Sequence, residues 1–316
     1  MIPPAPQFTA APSGGLPPPN ASVLAPVRVW AEMVKLSHSV FALPFAMIAA
    51  FLAGRNVPAR GLPRWGQLGL IVMCMVSARS AAMTFNRIVD AEIDARNPRT
   101  ANRPLPSGRL SRPAAYAMLA LALATFGFAC LGFHLFYDNT WPILLSGPAL
   151  GYLCAYSFTK RFTRWSHFIL GSAISMSPAA AWIAVDPGSL GLSALLLMVA
   201  VTGWIGGFDI IYACQDIEVD RRDGLHSLPS RLGPAKALWI ARASHGLCIA
   251  ALIGLAFTAD LGWIYACGLA AAALLLIVEN ALVRPGDYRR VNLAFFTING
   301  LVSLILAAAA VADALI

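Results

Sequence analysis

Charged residues are scarce in this sequence. Only 12% of the 316 residues are Asp, Glu, Lys or Arg, whereas an ordinary soluble domain has about a quarter of its residues charged. Hydrophobic residues make up 58% of the chain, and the mean hydropathy is +0.68. Apolar runs near the ~20 residues that cross a bilayer recur along its whole length. The composition therefore excludes an ordinary soluble protein and favours a single membrane-embedded unit.

Two further features are missing. The six cysteines form no CxxC pair and fall within or at the edge of apolar segments, which indicates buried small hydrophobic residues. The first 27 residues are rich in Pro, Ala, Ser and Gly and have neither a basic start nor a long apolar run. We therefore predict a disordered N-terminal tail over 1–27 instead of a cleaved signal peptide, and one transmembrane domain over 28–316.

The apolar runs between polar breaks predict an all-α polytopic membrane protein with about nine transmembrane helices in a single bundle. Polar connections of different charge separate these runs. The predicted spans are 36–53, 67–89, 113–133, 141–157, 166–183, 190–215, 237–258, 261–283 and 293–312.

The basic residues lie mainly on alternate connections. Most of them precede span 1 or follow spans 2, 4, 6 and 8, whereas Arg55, Arg60 and Arg64 lie on the other side. Because Lys and Arg concentrate in cytoplasmic connections, this bias predicts a cytoplasmic N-terminus and a C-terminus outside. The formal net charge of +8 then reflects topology, and it requires no nucleic-acid partner.

A first acidic cluster follows span 2. Asn86, Asp90 and Asp94 stand four residues apart, so on a continuing helix they share one face. Carboxylate and amide oxygens suit Mg²⁺, and Arg99 and Arg103 can bind phosphate oxygens through their guanidinium groups. The pattern indicates a metal and diphosphate site. Its alternative is a solvated helix end with intrahelical salt bridges.

A second acidic cluster closes span 6. Asp209, Asp216 and Asp220 share a helical face with Tyr212. Asp209 stands inside an apolar run, where an ionisable side chain indicates a functional site. Glu218 points away from this face and is interpreted as a solvated residue. Two such clusters on the same membrane side could hold two Mg²⁺ ions around one diphosphate.

Other polar residues accompany the clusters. Tyr156 and Lys160 stand one turn apart at the end of span 4, where they either contact phosphate or form part of an interfacial belt. Arg79 lies inside span 2 on the face of Asn86, so it is expected to pair with an acid or with substrate. Lys35 and His38 open span 1, where an interfacial position is favoured over acceptor binding.

The motifs resemble those of the UbiA superfamily of intramembrane aromatic prenyltransferases, from about residue 28 onward. The segment NRIVDAEID (86–94) is similar to the family motif NDxxDxxxD, and DIIYACQDIEVD (209–220) is similar to its second motif. Arg87 replaces the motif's Asp. Since that side chain points away from the stripe, the departure affects the acceptor subtype more than metal binding. The longer strings KLSHSVFALPFA, YSFTKRFTRWSH and FDIIYACQDIEVDRRDGLHSLP are similar to 4-hydroxybenzoate polyprenyltransferases, and equally to enzymes that prenylate a dihydroxynaphthoate.

The resemblance implies a bundle around a central cavity in a bacterial inner membrane, with polyprenyl diphosphate, an aromatic acceptor and the lipid bilayer as partners. It implies electrophilic substitution on an electron-rich ring, with Mg²⁺ as cofactor and the active site on the cytoplasmic face. Four acids would act in catalysis: Asp90, Asp94, Asp216 and Asp220. Metal binding would add Asn86 and Asp209, and phosphate binding would involve Arg99, Arg103, Tyr156 and Lys160. The positions of Asn86, Arg79, Asp209 and Tyr212 on the two helix faces make them further predicted substrate contacts.

Three other classes of protein share parts of this pattern. An ion-coupled transporter also carries intramembrane acids, but its charges lie near the bilayer midplane on discontinuous helices. A non-catalytic scaffold gives no reason for arginines beside two matched acidic stripes. A soluble isoprenoid synthase has acid-rich motifs without nine spans. We therefore predict a membrane enzyme.

Overall fold

The computed structural model describes residues 25–34, 42–57 and 61–316. The predictions for Lys35 and His38, and most of the predicted tail, lie outside these ranges. Within these ranges the α-helices are α1 (Ala25–Val34), α2 (Leu43–Arg55), α3 (Trp65–Val89), α4 (Ala91–Arg96), α5 (Arg112–Tyr137), α6 (Trp141–Thr159), α7 (Ser166–Val185), α8 (Leu192–Ala213), α9 (Ile217–Arg222), α10 (Leu228–Leu232), α11 (Pro234–Thr258), α12 (Trp263–Leu282) and α13 (Asn299–Ala314). A 3₁₀ turn lies at Pro187–Ser189, and a π-helical turn at Leu293–Ile298 precedes α13.

The all-α class is confirmed. Within the described ranges the only β-type pairing is one isolated bridge between Arg284 and Asp287. Seven helices are long and apolar enough to cross a membrane: α3, α5, α7, α8, α11, α12 and the helix at 293–314. Helix α2 is shorter, with 13 residues described, so the count of nine spans stays a prediction.

Helix α8 forms the centre of the bundle. Of its apolar window 67% is buried, against 28–39% for the other six candidate spans, because α7 and α11 pack on either side of it. Close approach needs glycine at these contacts. A Cβ on Gly171 would lie 2.6 Å from the Thr202 carbonyl oxygen, and one on Gly203 would lie 2.7 Å from the Ser244 carbonyl oxygen. Such small residues let backbones pack tightly where lipid supplies no hydrophobic drive.

The two acidic clusters share one local design. Helix α3 ends at Val89, Asp90 leaves helical geometry (φ −94°, ψ 4°), and the short helix α4 follows. Helix α8 likewise ends at Ala213, and α9 begins after Asp216 (φ −108°, ψ 8°). The expectation of an uninterrupted helix through each stripe is therefore wrong. Each short helix carries two acids in its first turn, where the helix dipole favours negative charge.

Helix α1 lies against the end of α3. The indole Nε1 of Trp30 donates to Thr84 Oγ1 at 2.8 Å, and Met33 and Val34 are buried beside Leu110. This helix begins inside the last three residues of the predicted tail, while residues 1–24 lie outside the described ranges.

Candidate active site

A polar cavity of about 210 Å³ lies at the end of the bundle where both short helices sit. It brings together, from α3–α4, α6 and α8–α9, every predicted site residue except Arg79. Residues separated by more than a hundred positions thus meet at one site, namely Asn86, Asp90, Asp94, Arg99, Arg103, Tyr156, Lys160, Asp209, Tyr212, Asp216 and Asp220.

Asp90 is the most enclosed acid of the first cluster, with 2% of its surface exposed. Its Oδ2 accepts from Lys160 Nζ at 2.6 Å and from Asn86 Nδ2 at 3.2 Å, and its Oδ1 accepts from an Arg161 amino group at 3.2 Å. A buried carboxylate is costly unless it is paired and hydrogen-bonded. The segment just after α6 supplies the two cations, and α3 supplies Asn86. Sequence reasoning missed Arg161, although it neighbours Lys160.

The cationic partners of Asp94 lie close to it in the sequence. An amino group of Arg103 donates to both carboxylate oxygens, at 2.8 Å and 2.7 Å, and Arg87 lies 3.8 Å from Oδ2. Arg87 is the residue that departs from the family motif. The expectation that its side chain points away from the acidic stripe is wrong, since it lies beside Asp94, where it provides positive charge, and lines the polar cavity.

Arg99 links the two clusters. Its Nε and one amino group donate to the two oxygens of Asp216 at 2.9 Å and 2.5 Å, and its other amino group donates to the Tyr212 hydroxyl at 2.9 Å. The guanidinium carbon also lies 5.1 Å from the Tyr212 ring centre. Burial opposes the charge of Arg99, but the hydrogen bonds and charge of Asp216 outweigh it and raise the pKa of this guanidinium.

Asn97 is a second link that sequence reasoning missed. Its side-chain amide donates to Asp216 Oδ1 at 3.2 Å, while its oxygen accepts from the Arg99 backbone at 2.9 Å. The available signal was the three-residue step from Asp94, which returns the side chain to the same side of a helical turn. The loop after α4 therefore folds over the second cluster.

Asp220 and Asp209 have partners of another kind. Ser227 donates its hydroxyl to Asp220 Oδ2 at 2.7 Å. Burial raises the pKa of the Asp220 carboxyl, and the Ser227 hydrogen bond partly opposes that rise. Asp209 Oδ2 lies 2.6 Å from Nδ1 of His167. Neither His167 nor Ser227 stands in an acidic motif, so no spacing pattern pointed to them.

Arg79 lies in a second, apolar cavity of about 170 Å³ between α2, α3, α5, α6 and α7. It stands seven residues before Asn86, which puts it on the same helix face but about 10 Å deeper along α3. Its side chain therefore meets no acid of the stripe among the described residues, and the expected contact with substrate stays a prediction. Within the described residues its Nε has no hydrogen-bond partner and no salt bridge reaches it. Tyr156 and Leu170 line both cavities and mark where they adjoin.

The donor set suits a hard divalent cation. Carboxylate and amide oxygens are the ligands of Mg²⁺, which usually takes one or two carboxylates and completes its shell with water and phosphate oxygens. In the described residues no group of three or more His, Cys, Asp or Glu side chains is arranged to hold a metal ion, and several of the carboxylates contact arginine or lysine. A metal and a diphosphate fit this site together: the metal would take carboxylate oxygens, and the released cations would take phosphate oxygens.

Comparison with known proteins identifies the family. The model of the UbiA prenyltransferase family matches residues 42–301. The chain belongs to this family. The resemblance inferred from the two acidic motifs is thus confirmed, and so is the expectation of an enzyme, a prenyltransferase. The transporter and scaffold alternatives are set aside.

Relatives within the UbiA family carry aromatic-acceptor names. A 4-hydroxybenzoate octaprenyltransferase of Aliivibrio fischeri is 32% identical over 79% of this chain and 84% of its own length. One of Chromohalobacter salexigens is 31% identical over 72% of this chain and 74% of its own.

Solved structures of UbiA homologues share the fold. The apo structure of a homologue from Aeropyrum pernix K1 matches with a TM-score of 0.78 at 32% identity, covering 88% of this chain and 98% of that one. A homologue from Archaeoglobus fulgidus bound to GPP and Mg²⁺ matches with a TM-score of 0.65 at 16% identity, covering 91% and 100%. The chain is an integral membrane protein of this fold.

Proposed function

We propose that this protein transfers a polyprenyl group from polyprenyl diphosphate to a hydroxylated aromatic acid that is a quinone precursor. The relatives named for 4-hydroxybenzoate, at about 30% identity, make that acid the first candidate acceptor for ubiquinone or menaquinone biosynthesis. A dihydroxynaphthoate is the alternative acceptor of the same class. One observation carries the proposal: a polar cavity with paired acids and cations adjoins an apolar cavity that contains one arginine.

The polar cavity would bind the diphosphate. Mg²⁺ would be held by oxygens from Asn86, Asp90, Asp94, Asp209, Asp216 and Asp220, and when bound it neutralises charge that develops on the leaving diphosphate. Arg99, Arg103 and Lys160 now bind carboxylates. Their release toward phosphate oxygens would add hydrogen bonds in the same step.

The apolar cavity would hold the allylic end of the prenyl chain and the acceptor ring. Departure of the diphosphate leaves an allylic cation, which the ring carbon attacks before the ring loses a proton. Apolar walls keep water from the cation. Arg79 would bind the acceptor's carboxylate, since within the described residues it has no acid of its own and a cation in an apolar site needs a partner.

We also propose that the polar cavity opens toward the cytoplasm of a bacterial cell. The Lys and Arg residues around α4, α9 and the connection before α13 support this orientation, and the bacterial relatives support the inner membrane. Fusing a reporter to the C-terminus tests it, because a reporter active only outside the cytoplasm should then be active.

The function is tested by product mass. Purified protein in lipid nanodiscs is incubated with Mg²⁺, a polyprenyl diphosphate and either 4-hydroxybenzoate or a dihydroxynaphthoate. We expect one acid to gain the mass of one prenyl group, and EDTA to abolish the product. The kcat/KM for the acid should be on the order of 10-fold higher than that for its methyl ester, since the ester cannot form a charge-assisted hydrogen bond with Arg79.

Arg79→Ala provides the matched comparison. This variant should lose the preference for acid over ester while it still turns over the ester. Absence of prenylated product from either acid, with active diphosphate supplied, would sink the proposed function. An unchanged acid preference in Arg79→Ala would remove only the assignment of Arg79.

A further inference from the structure

His167 is a buried histidine at the edge of the polar cavity. It is the second residue of α7 and is 3% exposed. Its Nδ1 lies 2.6 Å from Asp209 Oδ2, and its Nε2 lies 3.2 Å from the backbone nitrogen of Leu228. Because a backbone N–H can only donate, Nε2 is the acceptor and Nδ1 carries the hydrogen. The imidazole therefore donates to Asp209 in one fixed tautomer.

This arrangement distinguishes Asp209 from the acids held by cations. Asp90, Asp94 and Asp216 each accept from Lys or Arg. Among the described residues, the only ion-pair-distance partner of Asp209 is His167. The Asp209 side chain is 27% exposed, against 4% for His167, and it lines the polar cavity. One carboxylate oxygen is thus fixed by the imidazole, and the other is available to a ligand.

The pair lies where the two cavities adjoin. Leu170, one turn after His167 on the same face of α7, lines both the polar and the apolar cavity. Asp209 stands one to two turns deeper in α8 than Asp216, which binds Arg99. It is therefore the acid of the second cluster placed farthest into the bundle, toward the apolar cavity.

We infer that His167 is a positioning residue for the aromatic acceptor. It holds Asp209 Oδ2 so that the second carboxylate oxygen accepts a hydrogen bond from the acceptor's ring hydroxyl. In this role Asp209 contacts the acceptor instead of Mg²⁺, which the other five residues of the proposed metal set would hold. That bond increases the electron density of the ring and orients it toward the allylic carbon. The inference rests on the proposed function, and it assigns the positioning of Asp209 to a side chain that no acidic motif contains.

The second hydrogen bond of His167 gives the positioning its rigidity. Leu228 begins α10, and the preceding Ser227 caps that helix while it donates to Asp220. Both ring nitrogens of the imidazole are therefore hydrogen-bonded, one to a carboxylate of α8 and the other to a backbone amide of the α10 turn. A brace on two elements keeps the ring from rotating away when a ligand contacts Asp209.

Three substitutions separate the two hydrogen bonds. His167→Asn keeps an amide donor near the position of Nδ1. His167→Gln keeps a polar group near Nε2 but loses the donor at Nδ1, and His167→Ala loses both. We expect His167→Ala and His167→Gln to lose about 10- to 100-fold in kcat/KM for the acceptor, the effect of a lost hydrogen bond to a charged group. His167→Asn should recover to within about fivefold of wild type.

Comparing the kinetic constants for the two substrates distinguishes a positioning role of His167 from a general structural role. The KM for polyprenyl diphosphate should stay within about twofold in all three variants. Mg²⁺-dependent binding of a non-reacting prenyl thiolodiphosphate, measured without acceptor, should be equally unaffected. His245→Asn is the control: it also alters a buried histidine packed on α8, at Gly207, but it lies outside the polar cavity lining. It should keep acceptor kinetics within about twofold.

Three results would overturn the inference: wild-type acceptor kinetics in His167→Ala, no rescue by His167→Asn, or an equal loss of thiolodiphosphate binding. Failure of the proposed function is a different result, since the wild-type protein itself would then yield no prenylated acid.

Discussion

The two acidic clusters differ in how their charge is balanced. In the first, Asp90 and Asp94 are 2% and 5% exposed and accept from Lys160 and Arg103 at 2.6–2.8 Å. In the second, Asp209 and Asp220 accept from the uncharged donors His167 and Ser227. Among the described residues, Asp216 is the one acid of this cluster with a cationic partner, and that cation, Arg99, comes from the loop after the first cluster.

This difference indicates unequal roles for two motifs of similar spacing. The first cluster is electrically compensated before any ligand arrives, whereas the second keeps negative charge at the cavity. A cation entering the site is therefore drawn first to the second cluster. Binding at the first cluster requires its lysine and arginines to move from carboxylate to phosphate oxygens.

The largest expected effect is the loss of turnover when an acid of either cluster is removed. Asp90→Ala and Asp216→Ala should each lower kcat by on the order of 10³-fold, since each removes a predicted metal ligand in a site that must neutralise the leaving diphosphate. Turnover is measured as prenylated product in nanodiscs with saturating Mg²⁺. Loss in only one variant would show that one cluster suffices for catalysis.

Glu92→Gln is the control for these acids. Glu92 lies on α4 between Asp90 and Asp94, but its side chain is 85% exposed and only 3.7 Å from the exposed Arg112. Neutralising it should leave turnover within about twofold, because exposed pairs contribute little. Normal turnover by both aspartate variants would contradict the proposed metal site.

A smaller effect is expected from the arginine that joins the clusters. Arg99→Ala should raise the KM for polyprenyl diphosphate by about 10- to 100-fold, since a forked guanidinium that can bind phosphate oxygens is lost. Arg96→Ala is the matched control at the end of α4, three residues before Arg99, with a side chain 61% exposed and an expected change within about twofold. Equal KM values for the two variants would mean that Arg99 stays on Asp216 when substrate binds.

The sequence predicted the class of fold and most of the polar cavity. Low charge and repeated apolar runs indicated a helical bundle, and the four-residue spacing of Asp90 and Asp94 indicated one shared side. What it could not predict depends on local backbone geometry or on tertiary contacts. The break at Asp90 is a local choice of backbone angles, the depth of Arg79 needs the cavity walls, and His167 meets Asp209 only after α7 packs on α8.

The smallest expected effect concerns stability in the absence of ligands. Asp90→Ala should lower the free energy of unfolding by about 1–3 kcal/mol, because Asn86, Lys160 and Arg161 lose a buried shared acceptor. Asp216→Ala should cost less than about 1 kcal/mol, since Arg99 is 32% exposed on its side chain and can turn to water. Thermal unfolding of the metal-free protein in detergent measures both. An equal loss in the two variants would show that the ion pairs of the first cluster stabilise the fold no more than those of the second. The two clusters would then differ in ligand binding alone.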